Sequence, residues 1–84
     1  MYSVEFTREA TKALALMPGN LRIRLLTKLD ALARDPFGAP QVKKLVGQPG
    51  YRLRVGDWRV IYDLEAERLV VRVLRVAPRG GVYE

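Results

Sequence analysis

The first seventeen residues show two hydrophobic periods, one after the other. Apolar and polar side chains alternate along residues 2–6, which is typical of a strand with one buried face. From residue 8 the apolar positions recur at steps of three and four, which predicts an amphipathic helix, and Thr7 is placed to cap its N-terminus. The apolar stripe of this helix consists of Ala10, Ala13, Leu14 and Met17.

A second helix follows after a very short break. Pro18 and Gly19 end the first helix, and Asn20 is expected to cap the next one. Leucines then repeat with helical spacing until Asp35 and Pro36, which end the second helix. Because the connection between the helices is so short, the sequence predicts an antiparallel helical hairpin.

The second half of the chain has the composition of a β-sheet. Glycine and proline interrupt residues 37–50, which are expected to form an irregular loop that crosses from helices to sheet. Three strands are predicted at residues 51–55, 58–64 and 69–76, which are rich in Val, Leu, Ile and aromatic residues. The expected fold is α+β, in the order β-α-α-β-β-β, as a single domain over residues 1–84. In it the helical hairpin packs on one face of a mainly antiparallel four-stranded sheet.

The turn between two of these strands determines which side chains share a face. Gly56 and Asp57 have the form of a two-residue type II′ hairpin turn, so Arg54 is expected to lie opposite Arg59. One face is then apolar and ready to be covered by the helices: Tyr51, Leu53, Val55, Trp58, Val60, Tyr62 and Leu64. The other face carries Arg52, Arg54, Arg59, Ile61 and Asp63.

The arginines on this second face are the most informative cluster in the sequence. If Leu64 pairs with Leu69, Arg72 joins them opposite Ile61. Like charges directly opposite each other on neighbouring strands destabilise a sheet. The cluster therefore suggests a binding site for an anion, and the alternative is a solvated outer face.

Composition narrows the chemistry further. The 84 residues contain no histidine and no cysteine, which excludes thiol nucleophiles, Ser-His-Asp hydrolases, two-histidine ribonucleases and the usual zinc sites. No metal or other cofactor is implied. The net charge of +6 favours a polyanionic partner, although an acidic protein surface would respond to the same field. No signal-type or membrane-spanning segment is present in the sequence, so we expect a cytoplasmic protein with no membrane partner.

Two smaller groups of residues have an RNA-binding and a neutral interpretation. Lys43 and Lys44 are candidates for binding RNA phosphates, or they belong to a solvated loop. Near the end of the chain, Tyr83 is able to stack on a base and Arg79 to hold a phosphate, or both lie in a frayed terminus.

Several segments resemble the RelE branch of the RelE/ParE toxin superfamily. They are YRLR at residues 51–54, GDWRVIY at 56–62 and VLRV at 73–76, followed by Arg79 and by VY at 82–83. The resemblance covers essentially the whole chain, including the helical hairpin and a Lys-Leu step ahead of the sheet. It is fairly specific for the superfamily and less specific for the nuclease branch.

The resemblance implies a type II toxin that cleaves messenger RNA in the ribosomal A site, without a metal ion. In such toxins the ribose 2′-OH attacks the adjacent phosphate and the 5′-oxygen leaves. By position, Arg52 and Arg54 correspond to two basic strand residues of the family, and Arg59 to a phosphate-binding arginine. Arg79 corresponds to the arginine assigned to the leaving group. Tyr83 corresponds to the tyrosine that stacks on the base and has been given a general-base role.

The same resemblance implies the partners and leaves two rival functions open. The implied partners are a cognate antitoxin and a 70S-type ribosome with messenger RNA in its A site; Lys43, Lys44 and Arg72 are additional candidates for RNA contacts. Pro78 stands where many relatives have histidine or lysine, and arginine at 52 and 54 stays protonated where relatives have lysine. The rivals are a ParE-like inhibitor of DNA gyrase and a non-toxic relative that binds an antitoxin. Arg59, Arg79 and Tyr83 together favour the nuclease.

Overall fold

The computed structural model describes residues 1–39 and 42–78. Within these residues the strands form one five-stranded sheet in the order β1-β5-β4-β3-β2, in which β1 is parallel to β5 and the other neighbours are antiparallel. The predicted α+β class is confirmed, with one strand more than expected. The elements are β1 (Ser3–Phe6), α1 (Arg8–Leu16), α2 (Gly19–Arg34), β2 (Val42–Lys44), β3 (Tyr51–Val55), β4 (Trp58–Glu65) and β5 (Val70–Pro78).

The core lies between the helical hairpin and the apolar face of the sheet, as the alternation of β3 and β4 predicts. Each fully buried leucine or valine side chain contributes roughly 1.5–3 kcal/mol of transfer free energy. Tyr62 is completely buried, and Trp58 packs against the same core, so both are packing residues as expected. The buried core residues are Ala10, Met17, Leu25, Leu29, Leu32, Leu53, Val55, Val60, Tyr62, Val71, Val73 and Val76. Neither helix within the described residues has both the length and the apolar character to cross a membrane.

The ends of the two helices differ from each other in how they are capped. Thr7 caps α1 as predicted, because its Oγ1 accepts a hydrogen bond from the Ala10 amide at 3.1 Å. The expectation that Asn20 caps α2 is wrong: Pro18 occupies the N-cap position and Gly19 is the first helical residue. The Arg22 guanidinium donates to two carbonyls at the end of α1, at 3.0 and 2.9 Å, and so fastens the hairpin. Arg22 therefore has a structural role in holding the two helices together.

The segment expected to be an irregular loop contains β2. Val42–Lys44 pairs with β3, and Val42 lies opposite Leu53. Three residues are too few to show a strand period in sequence, so this strand exists because the edge of β3 offers unpaired backbone groups. Beyond β2 the chain turns at Gly50, whose φ of 108° is unfavourable for any residue with a side chain. A Cβ at Gly50 would also lie 3.0 Å from the Tyr62 carbonyl oxygen.

The predicted pairing of the last two strands is wrong by two positions. Leu64 lies opposite Val71 and not Leu69, so that Arg72 lies opposite Asp63 and not Ile61. The reason is the turn that precedes β5, in which Leu69 adopts a left-handed conformation with φ of 53° and its amide donates to the Ala66 carbonyl. Because the shift is an even number of residues, Arg72 keeps its predicted face.

Candidate functional site

Cationic side chains cross the face of the sheet that is turned away from the helices, here called the outer face. The hairpin register is as predicted: Arg54 lies directly opposite Arg59, and Arg52 opposite Ile61. On the other side of β3, Arg52 lies opposite Lys43 of β2. Arg54 is exposed, whereas Arg52 and Arg59 are half-buried, and Arg59 donates to the Trp58 carbonyl at 3.3 Å. Lys43, Arg52, Arg54 and Arg59 form what we call the basic cluster.

An irregularity in β5 adds one more cationic side chain to the outer face. The alternation of side chains along a regular strand would not place it on that face. Tyr62 lies opposite Val73, but Ile61 lies opposite Arg75, so the extra residue Leu74 forms a β-bulge. Without the bulge Arg75 would point into the core; with it, Arg75 shares the outer face with Ile61. Strand alternation therefore missed Arg75 as a site residue, since a bulge leaves no clear mark in a single sequence.

The bulge is held in place by the cap of α1. The Thr7 amide donates to the Val73 carbonyl at 3.0 Å, and the Thr7 hydroxyl donates to the Leu74 carbonyl at 2.8 Å. The first turn of α1 thus lies beside β5, and Glu9 in that turn forms an ion pair with Arg75 at 3.1 Å.

A cleft of about 370 Å³ opens on this side of the molecule, next to the basic cluster. Its walls come from the first turn of α1, the segment after β2, and the outer face of β4 and β5. Leu45 and Ile61 are buried there and pack with Leu74 and Ala77, forming a second small apolar cluster apart from the main core.

Arg72, a predicted RNA-binding residue, lies on the outer face among carboxylates. It forms an ion pair with Glu65 at 3.6 Å and lies opposite Asp63 in the sheet. Glu65 also pairs with Arg68, which reaches Glu5 of β1 at 3.0 Å. In the part of the outer face around Arg72, positive and negative charges are therefore balanced, in contrast to the basic cluster. The structure does not bring Arg72 together with Arg54 and Arg59.

The two lysines predicted to act together are separated by the pleat of β2. Lys43 lies opposite Arg52 and shares the outer face, whereas Lys44 lies opposite Tyr51, a residue of the core face. Arg79 and Tyr83 lie outside the described residues. The last described residue is Pro78, which lies opposite Trp58, next to the pair of Arg59 and Ala77.

The chemistry available on the outer face is electrostatic. Guanidinium groups bind phosphate oxygens with two parallel hydrogen bonds and remain protonated, so the basic cluster suits a phosphodiester and the extra negative charge of its transition state. Among the described residues no three acidic side chains are grouped so as to hold a metal ion. The tyrosine with a shifted pKa, Tyr62, belongs to the core and not to this face, because burial raises its pKa to about 12.

A helical hairpin on a mixed sheet with a basic outer face defines a small α+β protein, and solved structures of toxins share this fold. A chain of the archaeal RelE–RelB complex from Pyrococcus horikoshii OT3 superimposes with a TM-score of 0.82 and 34% identity, covering 95% of this chain and 97% of that one. The isolated RelE toxin of E. coli gives a TM-score of 0.82 at 26% identity, with coverage of 94% and 85%. A chain of the RelBE2 toxin–antitoxin complex from Mycobacterium tuberculosis gives 0.79 at 28%, with coverage of 93% and 98%.

Comparison at the level of sequence agrees with the structures. Toxin RelG of Mycobacterium tuberculosis is 29% identical over 85 residues, which cover 98% of this chain and 95% of that protein. The sequence profile of the family described as "ParE toxin of type II toxin-antitoxin system, parDE" matches residues 4–83. The chain therefore belongs to the RelE/ParE superfamily and is a toxin of a type II toxin–antitoxin system.

Proposed function

We propose that this toxin is a ribosome-dependent endoribonuclease that cleaves messenger RNA in the A site. The observation that carries the proposal is the Arg54–Arg59 pair, in which two guanidinium groups face each other across neighbouring strands. Within the described residues neither has a carboxylate partner. An arrangement that destabilises the sheet is explained if the missing counter-charge is a phosphate group of the substrate.

The proposed reaction is a transesterification. The ribose 2′-oxygen forms a bond to the adjacent phosphorus, the bond from phosphorus to the 5′-oxygen breaks, and the products carry a 2′,3′-cyclic phosphate and a 5′-hydroxyl. In this proposal Tyr83, in its phenolate form, takes the proton from the 2′-OH. Arg79 offsets charge on the leaving 5′-oxygen, which then takes a proton from water. Arg52, Arg54 and Arg59 bind the phosphoryl oxygens and stabilise the added negative charge of the pentavalent transition state.

The need for a ribosome follows from the same set of residues. Arginine remains protonated and is a poor proton donor or acceptor, so acid–base catalysis on this face is weak. Alignment of the 2′-OH with the bond that breaks must then supply more of the rate, and fixed orientation is worth several orders of magnitude. The ribosome would provide it by holding the message in one geometry. We accordingly expect little or no cleavage of free RNA by the isolated protein.

A translation reaction followed by primer extension on the message tests the proposal. The wild type should produce cuts in A-site codons, and Arg59→Ala, Arg79→Ala and Tyr83→Phe should each reduce cutting at least about tenfold. Arg34→Ala is the matched control, because Arg34 is an exposed arginine on α2 paired only with Asp30 among the described residues. Efficient cleavage of naked RNA, or unchanged cutting by all three variants, would contradict the proposal.

A second candidate function is inhibition of DNA gyrase, because the matching family profile carries the ParE name. A gyrase supercoiling assay run beside the translation reaction separates the two functions. Translation left intact while supercoiling stops would establish the ParE-like activity. Activity in neither assay would indicate a toxin-fold protein whose remaining role is to bind an antitoxin.

We also propose a cognate antitoxin as the protein partner. The neighbouring structures include complexes of a RelE toxin with a RelB antitoxin. On this chain the hairpin exposes apolar side chains of Leu16, Ile23 and Leu26, which suit an amphipathic helix, and the basic cluster suits acidic groups. Co-expression with the neighbouring open reading frame, followed by size-exclusion chromatography, tests for the complex.

A further inference from the structure

We infer that the cleft beside the basic cluster is a nucleobase-binding subsite, and that Glu9 makes it prefer bases that carry an exocyclic amino group. The inference rests on the proposed function for its substrate, single-stranded RNA. It adds to that function a binding site and a residue that determines specificity. The juxtaposition that carries it is an apolar floor, an accessible carboxylate and a neighbouring row of phosphate-binding cations.

The floor of the cleft suits the flat face of a base. Leu45 and Ile61 are 9% and 8% exposed and, with Leu74, form an apolar surface on the side of the sheet that faces away from the main core. Enzymes that hold an unstacked base commonly place it between apolar or aromatic side chains. The volume of about 370 Å³ falls in the range of small-molecule sites.

The distance between the floor of the cleft and the basic cluster matches the separation of base and phosphate in a nucleotide. Ile61 is the direct cross-strand neighbour of Arg52, with an interstrand spacing of about 4.8 Å. Arg59 lies two residues before Ile61 on the same face of β4. A base resting on Ile61 and Leu74 therefore places its sugar–phosphate beside the guanidinium groups of these arginines, so that one nucleotide spans floor and cluster.

The rim of the cleft contains the groups that would read the base. Arg75 holds the Glu9 carboxylate at one wall through an ion pair of 3.1 Å, and 62% of the Glu9 side chain remains exposed. A carboxylate accepts hydrogen bonds only, so it favours the amino group of a base and disfavours a carbonyl at the same position. Thr7 also lines the cleft, but its hydroxyl already accepts from the Ala10 amide and donates to the Leu74 carbonyl. Gln48 lines it too and offers a donor as well as an acceptor, so among the described lining side chains Glu9 is the one that only accepts.

Nuclear magnetic resonance with two mononucleotides tests the subsite without a ribosome. Cytidine and uridine 5′-monophosphates differ at ring position 4, where cytosine has an amino group and uracil a carbonyl. Cytidine monophosphate should shift the methyl resonances of Leu45, Ile61 and Leu74 and bind about tenfold more tightly than uridine monophosphate, the equivalent of one hydrogen bond to a charged group.

Two variants make the test decisive. Glu9→Gln should bring the affinity ratio close to one, because the amide offers a donor as well as an acceptor. Glu67→Gln removes an exposed carboxylate from the β4–β5 turn and should leave the ratio unchanged. Equal binding of the two nucleotides by the wild type, no shift of the three methyl groups, or a ratio that survives Glu9→Gln would each overturn the inference.

Mapping of cleavage sites distinguishes a failure of the base subsite from a failure of the proposed nuclease function. In the translation reaction, wild type and Glu9→Gln should cut with different base preferences, whereas Glu67→Gln should cut with the preference of the wild type. Cutting with identical preferences would overturn the subsite and leave the nuclease standing. If the wild type makes no cuts, the nuclease fails, and with it the RNA subsite.

Discussion

At the scale of single residues, Tyr62 is where burial and polarity conflict most directly. Its ring stacks on Tyr51 with centroids 5.4 Å apart and planes inclined by 18°. The side chain is completely buried, and its hydroxyl has no hydrogen-bond partner among the described residues. A buried hydroxyl that forms no hydrogen bond costs about 1–3 kcal/mol.

Tyr62→Phe should therefore keep the fold and raise the free energy of unfolding, by up to about 2 kcal/mol. Urea denaturation at pH 7 measures the change, and Tyr51→Phe serves as the control because Tyr51 is only half-buried. A loss of stability greater than about 1 kcal/mol would mean that the Tyr62 hydroxyl is hydrogen-bonded in solution.

The same substitution should alter the response to alkaline pH. Burial, and next the neighbouring Tyr51, raise the pKa of Tyr62 from 10.0 to about 12. Above pH 10 the unfolded chain loses the Tyr62 proton while the folded chain keeps it. The ionisation of Tyr62 therefore leaves the free energy of unfolding unchanged below pH 10 and lowers it as the pH rises toward 12. Wild type should lose stability in this window more steeply than Tyr62→Phe; parallel curves would show that Tyr62 ionises normally.

Arg54 shows how a binding surface can reduce stability. Because Arg54 faces Arg59, Arg54→Gln should raise the free energy of unfolding by about 0.2–1 kcal/mol at low salt. The gain should shrink at high salt, which screens the repulsion between exposed charges. Thermal denaturation at two salt concentrations measures this, with Lys12→Gln on α1 as the control. A gain in the free energy of unfolding that does not depend on salt would indicate an effect of packing and not of charge. Under the proposed function, Arg54→Gln should also cleave messenger RNA more slowly than the wild type.

At the scale of elements, Thr7 links α1 to the bulge of β5. Thr7→Val removes the cap of α1 and the bond to the Leu74 carbonyl while keeping the shape, and should cost about 1–2 kcal/mol. Thr7→Ser keeps both hydrogen bonds and should stay within about 0.5 kcal/mol of wild type. Hydrogen exchange should also show faster exchange around Leu74 in Thr7→Val alone. Equal stability of the two variants would mean that the hydroxyl contributes little.

Elements differ in how far sequence determines them, and local chemistry explains the difference. The β3–β4 hairpin could be predicted residue by residue because Gly56, with φ of 59°, allows a turn that fixes the register. The strand β2 could not, since it depends on an edge provided by β3. The β4–β5 pairing was mispredicted because it depends on the backbone of Leu69 and on a bulge. At the site, Arg54 opposite Arg59 was therefore foreseen, whereas Arg75 and Glu9 were not.

At the scale of the whole molecule, the positions of the basic side chains matter more for the proposed RNA binding than the total charge of +6. Lys43 and Lys44 are neighbours in sequence but lie on opposite faces of β2. Affinity for single-stranded RNA falls with salt in proportion to the number of phosphates contacted, by a slope of about −0.7 per phosphate. Under the proposed function, Lys43→Gln should weaken RNA binding and reduce this slope by about that amount, while Lys44→Gln should do neither. Fluorescence anisotropy across a salt series measures both, and equal effects of the two variants would indicate binding by net charge alone.

The parallel pairing of β1 with β5 has a consequence for the time at which the protein folds. Ser3–Phe6 lies beside Val70–Val73, so β1 finds its partner only after β5 has been synthesised. Because β5 sits between β1 and β4, a nascent chain without β5 cannot close the sheet or form the bulge that turns Arg75 outward. Folding of the sheet is thereby postponed until β5 has been made, and a nascent chain that stops before β5 carries no finished site.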